Sequence, residues 1–413
     1  MSFAELPARD TAAACRWLSI VGIGEDGIEG LTPIARSLVQ GAEIVFGGRR
    51  HLALAAPLIR GASRPWRSPF EGAIEDVLAH RGRDVCVLAS GDPFVYGVGS
   101  VLLRHVDPTE TVIVPAPSTF SLAAARLGWA LPETIQLSLH GRSLDLVRPH
   151  LQPAARVLAL TSDGGGPAAL ARLLADSGFG RSRLTVLEAL GGPRERIRGT
   201  TAAAFDLGDV DPLNAVALEV EASPGARVLA RAAGLPDALF EHDGQITKRE
   251  IRAMTLAALS PRRGELLWDV GAGAGSVAIE WMLADPSMRA VAIEARSDRA
   301  GRIRRNAAAF GVPGLEVIEG AAPAAFEGLA QPDAVFIGGG ATVVLDPAVR
   351  ALRPGGRLVV NAVTVETEAL LLQRQASLGG ELNRLAIARL EPIGGRQGWR
   401  PALPVTQWIW IKP

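Results

Sequence analysis

Short apolar runs of strand length recur along this chain, each followed by an Ala-, Leu- and Arg-rich stretch of helical character. Examples are "WLSIVGIG" (17–24), "DVCVLASG" (84–91), "TVIVPAPS" (111–118), "ARVLALTS" (155–162), "RLTVLEAL" (183–190) and "NAVALEVE" (214–221). Strand patterns return at 266–270, 290–294, 333–338 and 356–361, and the chain closes on "VTQWIWIKP". Such alternation predicts an α/β fold. A chain of 413 residues is too long for one ordinary core, so it must divide. The stretch "ASPGARVLARAAGLPDALF" (222–240) carries two Pro, two Gly and no strand pattern, which marks the connection. The spacing therefore predicts a first domain over 1–223, a linker over 224–236 and a second domain over 237–413. Each half is expected to fold after a cut inside that linker.

Charge and cysteine usage narrow the classes. With 43 basic and 43 acidic residues the formal charge is zero, so no global field draws nucleic acid or an anionic membrane. Cys15 and Cys86 form no CxxC, and the six His make no HxxxH pair, so no metal site is expected. Glu5, Arg9 and Asp10 interrupt any apolar leader, and no stretch reaches the roughly 20 apolar residues of a membrane span. The expected location is the cytoplasm.

"WDVGAGAGSVAIE" (268–280) is a strand, a glycine-dense turn and a helix. A dinucleotide fingerprint wants GxGxxG. Here Ser276 stands where the third glycine belongs, after Gly271, Ala272, Gly273, Ala274 and Gly275. Asp269 precedes the turn, placed to act on the helix end or on a ligand amine. Glu294 ends the next strand, nineteen residues after Gly275, where a carboxylate can accept both hydroxyls of a ribose. The bland alternative is a tight turn and nothing more. The pattern resembles the class I S-adenosylmethionine-dependent methyltransferases, with their DxGxGxG motif and acidic residue closing the second strand. That resemblance implies a Rossmann-like fold and assigns the cofactor to Asp269, Gly271 through Ser276 and Glu294. It extends to Gly320 and Ala321 of "EGAAPAAF". "DAVFIGGG" (333–340) replaces the Asn/Asp-Pro-Pro-Tyr clamp of base-modifying members, which argues against a nucleic-acid base as substrate.

The first half carries another signature. "GDPFVYG" (91–97) reads locally as a helix start, with Asp92 as N-cap and Pro93 at the first helical position. Together with "VGIG" ending at Gly24 and "VPAPSTF", where Ser118 and Thr119 open a helix, it resembles the class III tetrapyrrole methyltransferases. "SLHGR" (138–142) and "LEALGGPRERI" (187–197) resemble later segments of that family, though "GEDG" replaces its usual Gly-Pro-Gly. The resemblance implies two α/β lobes holding S-adenosylmethionine near Gly24, Gly91, Asp92, Tyr96, Ser118, Thr119 and Leu190.

A class III domain followed by a class I domain resembles the fused, decarboxylating tetrapyrrole methyltransferases of cobalamin synthesis. The resemblance implies methylation of precorrin-6B at C5 by the first domain. The second would methylate C15 and remove the ring C acetate carboxyl, giving precorrin-8X, S-adenosylhomocysteine and carbon dioxide. A cobalt-containing precorrin remains an alternative substrate. The same resemblance implies a homo-oligomer. Thr247, Lys248 and Glu250 are candidates for the second domain's chemistry, and the resemblance makes Thr247 a cofactor contact as well, although Thr247-x-x-Glu250 equally fits a capping box. His140 is a candidate proton shuttle, against a structural role beside its glycine turn. An NAD-dependent oxidoreductase lacks the third glycine and leaves residues 88–129 unexplained. A ligand carrier needs no pair of unrelated adenosine-site signatures.

Overall fold

The computed structural model describes residues 16–67 and 71–413. The reading of the leader, and Cys15, lie outside the described residues. Contacts divide the chain into two units: residues up to Arg142 with Pro153–Ala226, and Ser143–Gln152 with Arg227–Pro413.

The first unit holds two five-stranded sheets. One comprises β1 (Leu18–Ile23), β2 (Ile44–Gly47), β3 (Ala62–Pro65), β4 (Val85–Ser90) and β5 (Thr111–Val114), all parallel in the order β3-β2-β4-β1-β5. The other comprises β6 (Thr134–Ser138), β7 (Arg156–Leu160), β8 (Arg183–Glu188), β9 (Arg196–Thr201) and β10 (Asn214–Glu219), in the order β6-β7-β10-β8-β9. Among the described residues the accompanying α-helices are α1 (Pro33–Gly41), α2 (Arg49–Ala55), α3 (Glu71–Leu78), α4 (Gly99–Leu102), α5 (Thr119–Leu127) and α6 (Gly166–Asp176). Central parallel strands bury both faces and so read as unbroken apolar runs. In β1, Leu18 and Ile20 enter one core while Val21 and Ile23 enter the core on the opposite face.

The second unit is built on β11 (Leu266–Val270), β12 (Arg289–Glu294), β13 (Glu316–Glu319), β14 (Ala334–Ile337), β15 (Arg357–Ala362), β16 (Glu381–Leu385) and β19 (Val405–Ile411). Their order is β13-β12-β11-β14-β15-β19-β16, parallel as far as β15, with β19 antiparallel to both neighbours. A separate hairpin pairs β17 (Ala388–Ile393) with β18 (Arg396–Pro401). The helices are α7 (Arg249–Leu259), α8 (Ser276–Leu283), α9 (Ser297–Ala309), α10 (Ala341–Ala351) and α11 (Val365–Leu378). The expected α/β architecture and a glycine turn linking β11 to α8 are both present.

The stretch expected to be a free linker divides differently. From Arg227 onward it belongs to the second unit, with Leu229 and Leu235 inside that unit's core. Arg252 and Glu280 hold it there. Glu280 accepts from the Gly234 N–H (2.6 Å), the Leu235 N–H (3.0 Å) and Arg252 Nε (2.6 Å). Arg252 also donates to the Leu235 and Thr247 carbonyls and to Asp237 Oδ1, and its guanidinium lies 4.8 Å from the centre of the Phe240 ring. Arg252 is fully buried. Breaking such a pair leaves an uncompensated charge in the interior. Glu280→Ala is expected to cost the second unit about 3–5 kcal/mol, read from the shift of its denaturant midpoint.

Candidate functional site

Each unit contains a cavity. The first, about 320 Å³, is lined by Gly24, Gly91, Tyr96, Ser118, Thr119, His140 and Leu190. Its floor is crowded backbone at the ends of β1 and β4. Gly91 has φ +56°, and a Cβ on it would lie 2.7 Å from the Pro117 carbonyl oxygen; a Cβ on Gly22 would lie 1.9 Å from the Gly91 oxygen. Only glycine fits there. Ser118 caps α5, its Oγ accepting from the Ser121 N–H at 3.1 Å.

Asp92 corrects an expectation. It does not line the cavity and caps no helix; its Oδ1 accepts from the Phe94 N–H (2.8 Å), closing a tight turn. The chain doubles back so that the Pro93 carbonyl takes the Gly99 N–H, and α4 begins only there, with Val98 as its N-cap. The turn raises Tyr96, at φ +53°, onto the cavity wall. Its hydroxyl donates to the Gln136 carbonyl at 3.2 Å, and its ring meets Phe120 edge-on. A positive φ at a tyrosine is strained and persists only where the surroundings hold it. His140 takes part in a 3.2 Å hydrogen bond between Nδ1 and the Thr161 carbonyl, which fixes that nitrogen as donor.

Sequence reasoning missed Glu25 and Arg50, which also line this cavity. Arg50 binds Glu25, the Ser90 hydroxyl (3.2 Å) and His51 Nε2 (3.0 Å). Burial and the adjacent guanidinium hold the His51 pKa down at about 4, so the ring is a neutral acceptor. No local motif marks this cluster, because its members come from three separate segments.

The second cavity, about 710 Å³, is lined by Gly271, Ala272, Gly273, Glu294, Gly320 and Ala321 along one side and by Thr247, Lys248 and Glu250 on another. Gly271, Gly273 and Gly275 have φ of +73°, +59° and +75°. A Cβ on Gly273 would stand 3.0 Å from the Gln245 carbonyl oxygen. A Cβ on Gly275 would stand 2.7 Å from Ile303 Cγ2, so Gly275 permits the close helix approach usually given to a third fingerprint glycine. Asp269, Ala274, Gly275 and Ser276 do not line the cavity. Glu294 is buried; its Oε2 accepts from the Gly273 N–H (2.9 Å) and its Oε1 from the Arg296 N–H (3.0 Å). Each oxygen keeps a second lone pair.

The capping box does not form. The N-cap of α7 is Lys248, without a side-chain cap bond. The Thr247 carbonyl is held by Arg252, and Glu250 instead pairs with Arg389 at 2.5 Å. A charged partner displaces the weaker backbone bond of a box. Gly338 to Gly340, the glycines that stand in place of a base clamp, line the cavity too; Asn361, Val363, Leu385, Ile387, Arg389 and Leu403 were not anticipated.

A family model of tetrapyrrole (corrin/porphyrin) methylases matches residues 18–206, and one of the precorrin methyltransferase domain matches 238–412. The chain is 59% identical over 411 residues, 99% of its own length and all of the relative's, to a precorrin-6Y C(5,15)-methyltransferase [decarboxylating] of Sinorhizobium sp. It is 35% identical over 166 residues to a cobalt-precorrin-6B C(15)-methyltransferase (decarboxylating) of Salmonella typhimurium, covering 39% of this chain and 85% of that one. A cobalt-precorrin-7 C(5)-methyltransferase of the same organism is 30% identical over 189 residues, covering 46% and 92%.

Asp269 lies behind the glycine turn. Its Oδ2 accepts from the Ala278 N–H in the first turn of α8 (3.0 Å), and its buried Oδ1 has no hydrogen-bond partner among the described residues. Burial pushes its pKa up to about 7, Glu294 adding to the effect and the Ala278 bond opposing it. An unfolded Asp titrates near 3.9. Folding therefore carries a penalty that is absent below about pH 4, grows as the pH rises and is complete above about 7. Asp269→Asn cannot ionise. Its stability relative to the wild type should rise between pH 5 and pH 8, measured by urea denaturation at both.

Proposed function

The chain belongs to the precorrin-6Y C(5,15)-methyltransferases (decarboxylating), and on that premise we propose that its two units divide the reactions between them. It is an S-adenosylmethionine-dependent methyltransferase of cobalamin biosynthesis. The first unit would methylate C5; the second would methylate C15 and remove the ring C acetate carboxyl, carrying precorrin-6B to precorrin-8X. The observation supporting the division is that each unit has its own cavity, with the positive-φ Gly91 in the first and the positive-φ Gly271 and Gly273 in the second. Two relatives named for single reactions each match less than half of this chain. A cobalt-free substrate is favoured by the full-length relative, whose name lacks cobalt. The test is mass spectrometry of the product from precorrin-6B and S-adenosylmethionine. Two added methyl groups and one lost carboxyl are expected.

The residues of the second cavity fit that cofactor. The glycine turn lines the cavity with Gly271, Ala272 and Gly273, where little side chain stands between ligand and backbone, and Glu294 keeps lone pairs for ribose hydroxyls. S-adenosylmethionine would supply an electrophilic methyl carbon for in-line attack by a nucleophilic ring carbon, S-adenosylhomocysteine leaving with the C–S electron pair. The protein's part is to align the two and exclude water. Val363, Leu385, Ile387 and Leu403 offer an apolar wall to a macrocycle, and Lys248 a cation for its carboxylates. Glu250 and Thr247 stand at the same wall as proton-handling groups. In the first cavity, Tyr96, Ser118, Thr119 and Leu190 would hold the donor, while His140 presents Nε2 to the substrate. Among the described residues no helix is long and apolar enough to cross a membrane. A cytoplasmic homo-oligomer is part of the proposal. Leu390 and Trp399, directly paired across the β17–β18 hairpin and both exposed, form an apolar patch that assembly would cover.

Two variants probe the second cavity. Glu294→Ala removes the ribose acceptor and should weaken S-adenosylhomocysteine there by roughly tenfold to a hundredfold, with the first cavity unaffected in calorimetry. Gly273→Glu puts a side chain where even a Cβ meets the Gln245 carbonyl, at an unfavourable φ. C15 methylation and carbon dioxide release should vanish while C5 methylation remains. Survival of C15 methylation with loss of C5 would reverse the assignment.

A further inference from the structure

Behind the second cavity lies a closed polar cluster contributed by three elements. Thr255 of α7 and Gln407 of β19 are both buried, and Asn361 of β15 is half-buried at the cavity wall. Thr255 Oγ1 accepts from Asn361 Nδ2 (3.0 Å) and from Gln407 Nε2 (3.2 Å). Gln407 Nε2 also donates to Asn361 Oδ1 (2.9 Å). A half-satisfied buried network destabilises a core, so three polar side chains gathered inside an apolar sheet call for a reason.

The bonding fixes which way the Asn361 amide faces. Its oxygen is held by Gln407 and one Nδ2 hydrogen by Thr255, leaving the other Nδ2 hydrogen without an acceptor among the described residues. We infer that Asn361 is a substrate-contacting residue of the second cavity, its spare N–H gripping a carboxylate oxygen of a tetrapyrrole side chain, with Thr255 and Gln407 as positioning residues. The inference rests on the reading that this cavity receives the tetrapyrrole.

The choice of a neutral donor has a chemical reason. Of the cations lining the cavity, Arg389 is paired with Glu250 and Arg299 with Asp243, while Lys248 is the cation offered to carboxylates that are retained. A carboxylate that must leave as carbon dioxide loses its charge in the transition state, so a strong ion pair would stabilise the reactant more than the transition state. An amide N–H orients the group with less of that penalty. The acetate that is lost is therefore the side chain this donor suits best.

The test compares Asn361→Ala, the isosteric Asn361→Asp, Thr255→Val and Thr255→Ser in the full-length protein. Precorrin-6B is the substrate; C15 methylation and carbon dioxide release are measured, with S-adenosylhomocysteine affinity at the second site by calorimetry. Asn361→Ala should raise KM for the tetrapyrrole by about tenfold to a hundredfold. Asn361→Asp, which keeps the shape but repels a carboxylate, should raise it further. Cofactor affinity should stay within about twofold in both. Thr255→Val should raise KM less than Asn361→Ala does, and Thr255→Ser, which keeps the hydroxyl, should restore it. An Asp variant no worse than Ala, or a loss confined to cofactor affinity, overturns the inference. A wild-type protein that releases no carbon dioxide and adds no methyl at C15 removes the parent reading, and this one with it.

Discussion

Arg252 and Glu280 are opposite charges placed out of reach of water, and the second unit is arranged around satisfying them. Removing two ions from water costs several kcal/mol each unless every donor and acceptor is answered. Here the answers come from the backbone at Gly234, Leu235 and Thr247 and from Asp237. The pair thus determines where the chain enters the unit and where the loop carrying Thr247 and Lys248 stands. Because Glu280 belongs to α8, the same interaction ties that loop to the helix springing from the glycine turn. Both sides of the cavity are referenced to one ion pair.

The two cavities solve a shared problem with different materials. The first is enclosed by crowded backbone and a pinned tyrosine, with an ion-paired arginine cluster on its wall. The second is larger and presents an apolar wall beside a turn that only glycine can follow. In the first, Gly91 and Gly22 cannot accept a side chain because backbone already fills the space; in the second, Gly271 is limited chiefly by its φ.

What was legible in the sequence had local causes. The central strands announced themselves because parallel strands bury both faces. The glycines at 271, 273 and 275 did so because their backbone conformation excludes other residues. What was hidden depended on partners distant in sequence. Asp92 and Pro93 have the local chemistry of a helix start, yet the fold-back of Gly97 and Gly99 over Pro93 turns them into a tight turn. Thr247 and Glu250 have the spacing of a box, but the helix begins one residue later, with Lys248 as N-cap, and Arg389 claims Glu250. Residues 227–236 look like linker in composition, and the packing of Leu229 and Leu235 together with the Glu280 carboxylate reveals them as core. Asn361 carries no motif; its meaning comes from Thr255 and Gln407, both far along the chain.

The position of β19 bears on how the protein is made. It lies between β15 and β16, although it is the last of the seven strands to be synthesised. On the ribosome the first unit's strands are all available long before, while the growing second unit must wait with the edge of β15 unpaired. Open apolar edges of that kind invite association with other nascent chains. The interval ends when Trp408 and Trp410 slide into place and close the sheet from within. β19, the last of the seven strands to be made, is thus the one whose arrival removes that edge.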